Sequence, residues 1–483
     1  MLSSPLLRSC QGWIDGVWVD ADQREQFAVT NPATGEVIAQ VPAMDTSETA
    51  RAIDAARRCL DEPTTLLQRR KWLRDIAKHL LDEREELGRI LTLEHGKRYT
   101  EAMDDIDRAA SYFSYYANHL DELAPQELSE RARQCNWSIH ARPVGVVGLI
   151  TPATNPLIVL ARKLAAAIAA GCTAVIRPST TTPLTSIALL HLIDERLDLP
   201  PGLINLVSGP AEPIADTLCS HPDVGAISFT GSTEVGRSLL IRSAPGLKRL
   251  TLALSGNVPF IVFDDADLED AANQLIDNKF KANGQDCTCA NRVLVHHRVL
   301  DTFTDLLRER ITDLQVGDGL APETSLGPLI DQAAQTRVQR LLEDARAQGA
   351  DCINATAPVV DQDAAGCFVT PALLRDVSTD MACWREEILG PLIPLTRFSD
   401  TRQAVALAND TDSGLAAYLY TADGDRAERM LQQLRFGHIG HNAAIGATPE
   451  APFGAMRNAG VGREGGLEGL LGFIDRQTVP RGN

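Results

Sequence analysis

The sequence has no long basic run, no apolar stretch long enough to span a bilayer, no internal repeat and no low-complexity linker. Each absence closes a class of function. Acidic residues outnumber basic ones, 64 to 46, for a formal net charge of −18. A surface of that sign repels phosphate backbones and excludes nucleic acid as the expected partner. The longest apolar stretch, residues 157–170, is interrupted by Arg162 and Lys163. It is too short and too charged for a membrane span. The N-terminal MLSSPLLRSC lacks an apolar core of signal-peptide length. Ten cysteines are scattered, with Cys287 and Cys289 as the one close pair. Such usage fits reduced thiols in the cytoplasm, not a disulfide framework. No set of Cys, His, Asp and Glu has the spacing of a metal site, so none is expected.

What is present is an ordinary globular composition: 483 residues, 44% hydrophobic and 23% charged. A chain of this length can bury a large core and divides into roughly three domains. The first segment, to residue 42, reads as a short β-meander. Residues 46–123 space their apolar side chains helically, as at Ala50, Ile53 and Ala56. Residues 131–142 alternate, with Cys135, Trp137 and Ile139 on one side. Then short apolar runs at 144–150, 173–176, 204–207 and 226–229 alternate with helical stretches at 158–170, 184–197 and 214–219 and a helix from Thr233. That rhythm implies a parallel sheet covered on both faces, with ligands at the carboxyl ends of its strands. After about residue 255 the rhythm restarts and continues to about 439, a second α/β domain. Residues 471–479 read as an exposed strand in need of a partner.

Three segments invite chemistry. Phe229-Thr230-Gly231-Ser232-Thr233-Glu234-Val235-Gly236 lies where a strand hands over to a helix. Free N–H groups there can hold a phosphate, and an ordinary strand–turn–helix stays equally open. A Gly-x-Gly-x-x-Gly string at Gly460 to Gly465 follows no clear strand and is read as coincidence. Asn283-Gly284-Gln285-Asp286-Cys287-Thr288-Cys289 puts a cysteine on a glycine-containing loop. Either it is a nucleophile, which needs access and a lowered pKa, or it is a buried inert thiol. Asp264, Asp265 and Asp267 read as a helix cap rather than a calcium loop.

Taken together, the segments resemble the aldehyde dehydrogenase superfamily, and most of all its succinate-semialdehyde dehydrogenase branch, from about Trp13 to Val479. The resemblance rests on Asn31-Pro32-Ala33-Thr34-Gly35-Glu36, Arg142-Pro143-Val144-Gly145-Val146, Phe229-Thr230-Gly231-Ser232-Thr233 and Gly284-Gln285-Asp286-Cys287-Thr288-Cys289-Ala290-Asn291-Arg292. It continues through Glu386-Glu387-Ile388-Leu389-Gly390-Pro391, Ala451-Pro452-Phe453-Gly454 and Gly462-Arg463-Glu464-Gly465.

The resemblance implies an α/β fold with a Rossmann-type cofactor domain (1–122 and 143–254), an α/β catalytic domain (255–445) and a small β oligomerisation element (123–142 and 446–483). It implies a homodimer or homotetramer acting on a small-molecule aldehyde with NAD or NADP. Cys287 matches the nucleophile that carries a thioester. Glu387 matches the glutamate at the nicotinamide ribose, and Ser232 a position near the pyrophosphate. Ile150, Thr151, Pro152, Arg177, Ser179, Thr180, Phe229, Thr230, Gly231, Leu254 and Leu389 complete the expected cofactor site. Arg162 and Lys281 stand where the semialdehyde branch holds the substrate's distal carboxylate; plain surface charges are the alternative.

The departures from the family pattern matter as much. Ala253 stands where the general base belongs, and alanine cannot accept a proton. In Pro152-Ala153-Thr154-Asn155-Pro156 the oxyanion-holding amide has moved one place, to Asn155, leaving Thr154 at its position. Glu464 matches a second glutamate that relays protons in some members. Thr180 replaces a glutamate common in NAD-preferring members, so a 2′-phosphate is not repelled. Three outcomes follow: hydrolysis of the thioester to the acid, transfer of the acyl group to CoA, or a degenerate member that binds cofactor with little turnover.

Overall fold

A computed structural model describes residues 2–128, 135–354 and 365–482. Residues 131–134, the start of the expected alternating strand, lie outside them. The eight-stranded sheet is built on the apolar runs. Val146–Ile150 is buried at every position, as a strand covered on both faces must be. Helix Pro156–Ala170 follows it. Proline supplies a pre-set φ at its start and Gly171, at φ 86°, closes its end in the left-handed region.

Five parallel strands form the centre of this sheet, in the spatial order Ile204–Leu206, Thr173–Arg177, Val146–Ile150, Val224–Thr230, Arg249–Ala253. The chain starts in the middle, steps outward one way, then returns and steps the other way. The switch point lies between Val146–Ile150 and Val224–Thr230, and a crevice opens there outside the carboxyl ends of the strands. The second sheet has seven strands: Asp351–Asn354, Ala372–Arg375, Leu392–Phe398, Ala290–His296, Val258–Val262, Ala416–Tyr420, His438–His441. Only the edge pairing of Asp351–Asn354 is antiparallel. The chain crosses from one sheet to the other at residues 254–257, where the rhythm restarts. The α/β class is as expected.

One expectation needs correction and another is met. The first segment is not one meander. Gly12–Ile14 and Val17–Val19 form a hairpin that joins the large sheet through Trp13 opposite Leu206, while Gln26–Thr30 and Val37–Pro42 form a separate ribbon. Burial against a distant strand, invisible in local spacing, decides this. The exposed strand does find a partner: Ile474–Gly482 runs antiparallel to Cys135–Pro143 over its whole length.

The Gly460 to Gly465 string is no dinucleotide loop. Gly460–Val461 pairs antiparallel with Leu252 and Ala253, and no long helix follows. Asp267 caps helix Leu268–Phe280 by accepting from the Asp270 N–H. Helix Tyr99–Asn118 packs on Leu66–Asp82 and on Pro156–Ala170, and its Arg108 lines the cavity described below. Among the described residues, no helix is long and apolar enough to cross a membrane.

Candidate active site

Cys287 sits on a loop whose shape is fixed from several sides. Ala282, Asn283 and Gly284 all have positive φ, at 48°, 59° and 81°. Such a turn needs outside support. Asn283 supplies it, donating from Nδ2 to the carbonyls of Gly96 and Pro328 while its Oδ1 accepts from the Gly327 N–H. Gln285 accepts from the Ile330 N–H, and Asp286 Oδ1 accepts from both the N–H and the hydroxyl of Thr288. Gly256 passes beneath; a Cβ there would strike the Cys287 carbonyl. Cys289, two residues on, points into the core and donates to the Asn278 carbonyl at 2.9 Å.

Cys287 opens onto a cavity of about 240 Å³, the size for a small ligand. Burial raises the Cys287 thiol well above its usual range, and the carboxylates of Asp286 and Glu387 add to the rise, while Arg162 opposes it. At neutral pH the resting residue is a thiol, and it needs added positive charge or a proton acceptor to become a nucleophile.

One wall is the end of the parallel sheet: Pro152, Thr230, Gly231, Ser232 and Leu254, with Glu387 and Leu389 opposite. Ser232 caps helix Thr233–Ser243 by accepting from the Val235 N–H, and a Cβ on Gly231 would collide with the Phe229 ring. Gly236 is needed for contact too, since a Cβ there would enter Leu254. Glu387 accepts from the Gly256 N–H at 2.9 Å, and burial raises its carboxyl to about 7. The remaining expected cofactor residues lie along the same strand ends but outside this cavity. Ile150 and Phe229 are core side chains. Arg177 closes strand Thr173–Arg177 and leads into Ser179 and Thr180. Three polar atoms here are buried with no hydrogen-bond partner among the described residues: the hydroxyls of Thr151 and Thr230 and Nε of Arg177. Unpaired donors at a switch-point crevice, above a glycine cradle and a helix start, fit a dinucleotide.

The opposite wall is charged. Arg162 and Lys281 both reach the cavity, as does Arg108, so the expected pair are not surface charges. Arg162 lies over the rings of Tyr112 and Phe453, at 5.5 and 5.3 Å. Its Nη1 is 3.2 Å from Glu464. Lys281 Nζ is 3.1 Å from Asp286.

Asn155, at φ 51°, donates from Nδ2 to Asp286 Oδ2 at 2.8 Å and accepts from Lys97 Nζ at 2.7 Å. Its amide is thus tied into a buried chain, Lys97–Asn155–Asp286, with Asp105 on the far side of Lys97. Thr154 lines the cavity beside it. Glu464 lies behind Arg162 and not among the cavity-lining residues. It bonds Lys163 and Ser228, and although burial works against its charge, Lys163 and Arg162 hold it below the usual carboxylate range. Ala253 faces the cavity with a methyl group only.

Sequence reasoning missed Lys97, Asp105, Arg108 and Lys163. Lys163 carried a signal, since two cations inside an apolar helix must find buried partners. The others carried none, because their partners lie far away along the chain.

Comparison with known proteins gives the family. Residues 18–479 match the aldehyde dehydrogenase family. The mitochondrial succinate-semialdehyde dehydrogenase of Arabidopsis thaliana is 40% identical, over 100% of this chain and 90% of that protein. The succinate-semialdehyde dehydrogenase [NADP(+)] of Escherichia coli is 38% identical over 96% of each. The crystal structure of an oxidoreductase from Marinobacter aquaeolei superposes with a TM-score of 0.96 at 47% identity, covering all of both chains. The chain belongs to the aldehyde dehydrogenase family. It is an NAD(P)-dependent oxidoreductase of aldehydes.

Proposed function

We propose that this enzyme oxidises a small anionic aldehyde of the semialdehyde class through a thioester on Cys287 and releases the carboxylic acid. One observation carries the reading: Cys287 lies in a single cavity between strand-end turns suited to a dinucleotide and a wall of cations suited to an anionic tail. The names of the relatives agree with that substrate class and do not favour CoA as acyl acceptor or a degenerate binder.

The residues divide the work. Arg177, Ser179 and Thr180 take the adenosine end of NAD or NADP, Thr230 to Ser232 the pyrophosphate, and Glu387 and Leu389 the nicotinamide end. When bound, the cofactor supplies the hydride acceptor. Cys287 Sγ bonds the aldehyde carbon. Thr154, with a backbone N–H and Asn155 behind it, supports the oxygen on which charge develops. Glu464, expected to relay protons, is better suited to holding Arg162 and Lys163 in place, since its charge is already committed to both. Arg162 and Lys281 receive the substrate's distal anion.

We divide the chain into 1–122 with 143–254, 255–445, and 123–142 with 446–483; the eight-, seven- and three-stranded sheets support this, while Gly460–Val461 crosses over to pair in the eight-stranded one. The outer edge of Ile474–Gly482 supports a homodimer or homotetramer, which light scattering after gel filtration measures. A cytoplasmic location fits the cysteine usage of the sequence.

Incubation with NAD or NADP and succinate semialdehyde should raise the reduced-nicotinamide absorbance without CoA. No signal from a broad aldehyde panel would sink the reading. Turnover that stops after one equivalent per site and resumes only with CoA would move the acyl acceptor from water to thiol. Because Ala253 leaves water without a positioned base, Ala253→Glu should speed the hydrolytic steady state.

A further inference from the structure

The cation wall holds more positive charge than the carboxylates behind it can answer. Lys97 pairs with Asp105, Lys163 with Glu464 and Lys281 with Asp286. Each of those carboxylates is therefore taken by a lysine. Two guanidiniums remain, and both reach the carboxylates only as second partners: Arg162 at 3.2 Å from Glu464, and Arg108 at 3.8 Å from Asp105. Glu101 is also close, but burial raises its carboxyl and Asp105 adds to that, with Lys97 opposing.

Arg108 is placed for use. It stands one turn before Tyr112 on helix Tyr99–Asn118, so the two share a face. Arg162 lies over that same Tyr112 ring. Among the described residues Arg108 makes one long hydrogen bond, at 3.5 Å to the Ala447 carbonyl, and about a third of its side chain is exposed. It is near enough to Lys281 for the two charges to repel. A like-charge cluster on one cavity wall, incompletely neutralised by protein, is a site for an anion.

The oxygen count narrows that anion. A guanidinium fork takes one lone pair on each oxygen of a carboxylate, and all its lone pairs lie in one plane. Three cations carried on three separate segments are better served by a tetrahedral group, which offers each of them its own oxygen. We propose that Arg108, Arg162 and Lys281 form a tail-binding site that favours aldehydes ending in a three-oxygen anion, a phosphonate or sulfonate, over those ending in a single carboxylate. This rests on the reading of Cys287 as the nucleophile.

The test compares kcat/KM of the intact enzyme for four aldehydes: butanal, succinate semialdehyde, and the phosphonate and sulfonate analogues of the latter. The wild type should favour both analogues over succinate semialdehyde. A lead of phosphonate over sulfonate assigns the preference to charge, and equal rates assign it to oxygen number; both support the site. Arg108→Gln should raise KM for the analogues roughly 10- to 100-fold, the range for a charge-assisted hydrogen bond. The ratio of analogue to butanal kcat/KM should fall by the same factor, and Arg108→Lys should restore part of it. An unaltered ratio in Arg108→Gln, in protein whose circular dichroism and Tm match the wild type, overturns the proposal. So does a wild type that favours succinate semialdehyde over both analogues. No turnover of any of the four, butanal included, is instead a failure of the Cys287 reading. In that event calorimetric binding of the phosphonate analogue to Cys287→Ala, with and without Arg108→Gln, decides the tail site.

Discussion

The two walls of the cavity handle polar groups in opposite ways. At the sheet end, Thr151 and Thr230 keep buried hydroxyls without partners, and Arg177 keeps an unpaired Nε. Burial raises the Glu387 carboxyl to about 7, with the Gly256 N–H and the Ser255 side chain opposing the rise. At the cation wall the lysines are already engaged, Lys163 with Glu464, Lys97 with Asp105 and Asn155, Lys281 with Asp286, and only Arg108 and Arg162 are left as second partners. An unpaired buried donor costs stability until a ligand arrives. A paired one holds geometry before the ligand arrives. The sheet end thus carries a cost that binding repays, while the cation wall is set in advance around the nucleophile.

The sharpest break comes from the residue between the walls. Cys287→Ala should lower kcat/KM by about 10⁴-fold or more while cofactor still protects against thermal unfolding. Loss of that protection together with activity would place Cys287 in the fold rather than the chemistry.

Next in size is Glu464→Gln at the cation wall. It strands Lys163 and Arg162 in the interior, and breaking a buried pair costs about 3–5 kcal/mol. Urea unfolding checks this, and a loss under about 1 kcal/mol would mean that the network is not a closed unit.

At the sheet end, Glu387 makes a statement about pH. Its folded value of about 7 lies above the usual 4.5. Below pH 4.5 both states are protonated and the residue costs nothing. Between 4.5 and 7 the unfolded chain ionises first, so stability falls as pH rises, by roughly 3 kcal/mol in all at 1.36 kcal/mol per unit. Glu387→Gln should flatten that slope. An unaltered pH profile would show that the carboxyl is solvated.

The smallest expected effect sharpens the contrast most. Thr151→Val removes an unpaired buried hydroxyl, so the free protein should be equally stable or up to about 1 kcal/mol more stable. A clear destabilisation would mean that the hydroxyl already has a partner in the protein.

Much of this was legible in the sequence, for identifiable reasons. Val146 to Ile150 and Ala226 to Phe229 announce buried parallel strands because neither face needs polar residues. The Asp267 cap is local chemistry, and so readable. The place of Trp13 in the large sheet was not, since Leu206 is its partner across most of the first domain's length. The cation wall was half legible. Arg162 and Lys281 stand in recognisable motifs, whereas Arg108 and Lys97 mean nothing until helix packing brings them to the cavity. Asn155 shows the limit from the other side. Its residue type promised a free amide at the reacting oxygen, but Lys97 and Asp286 hold both ends of it.

The most direct measurement is peptide mass spectrometry of enzyme quenched during turnover with NADP and succinate semialdehyde. The account predicts an acyl adduct on Cys287 and none on Cys289, whose thiol is turned into the core. An adduct on Cys289, or turnover with position 287 never modified, would contradict it.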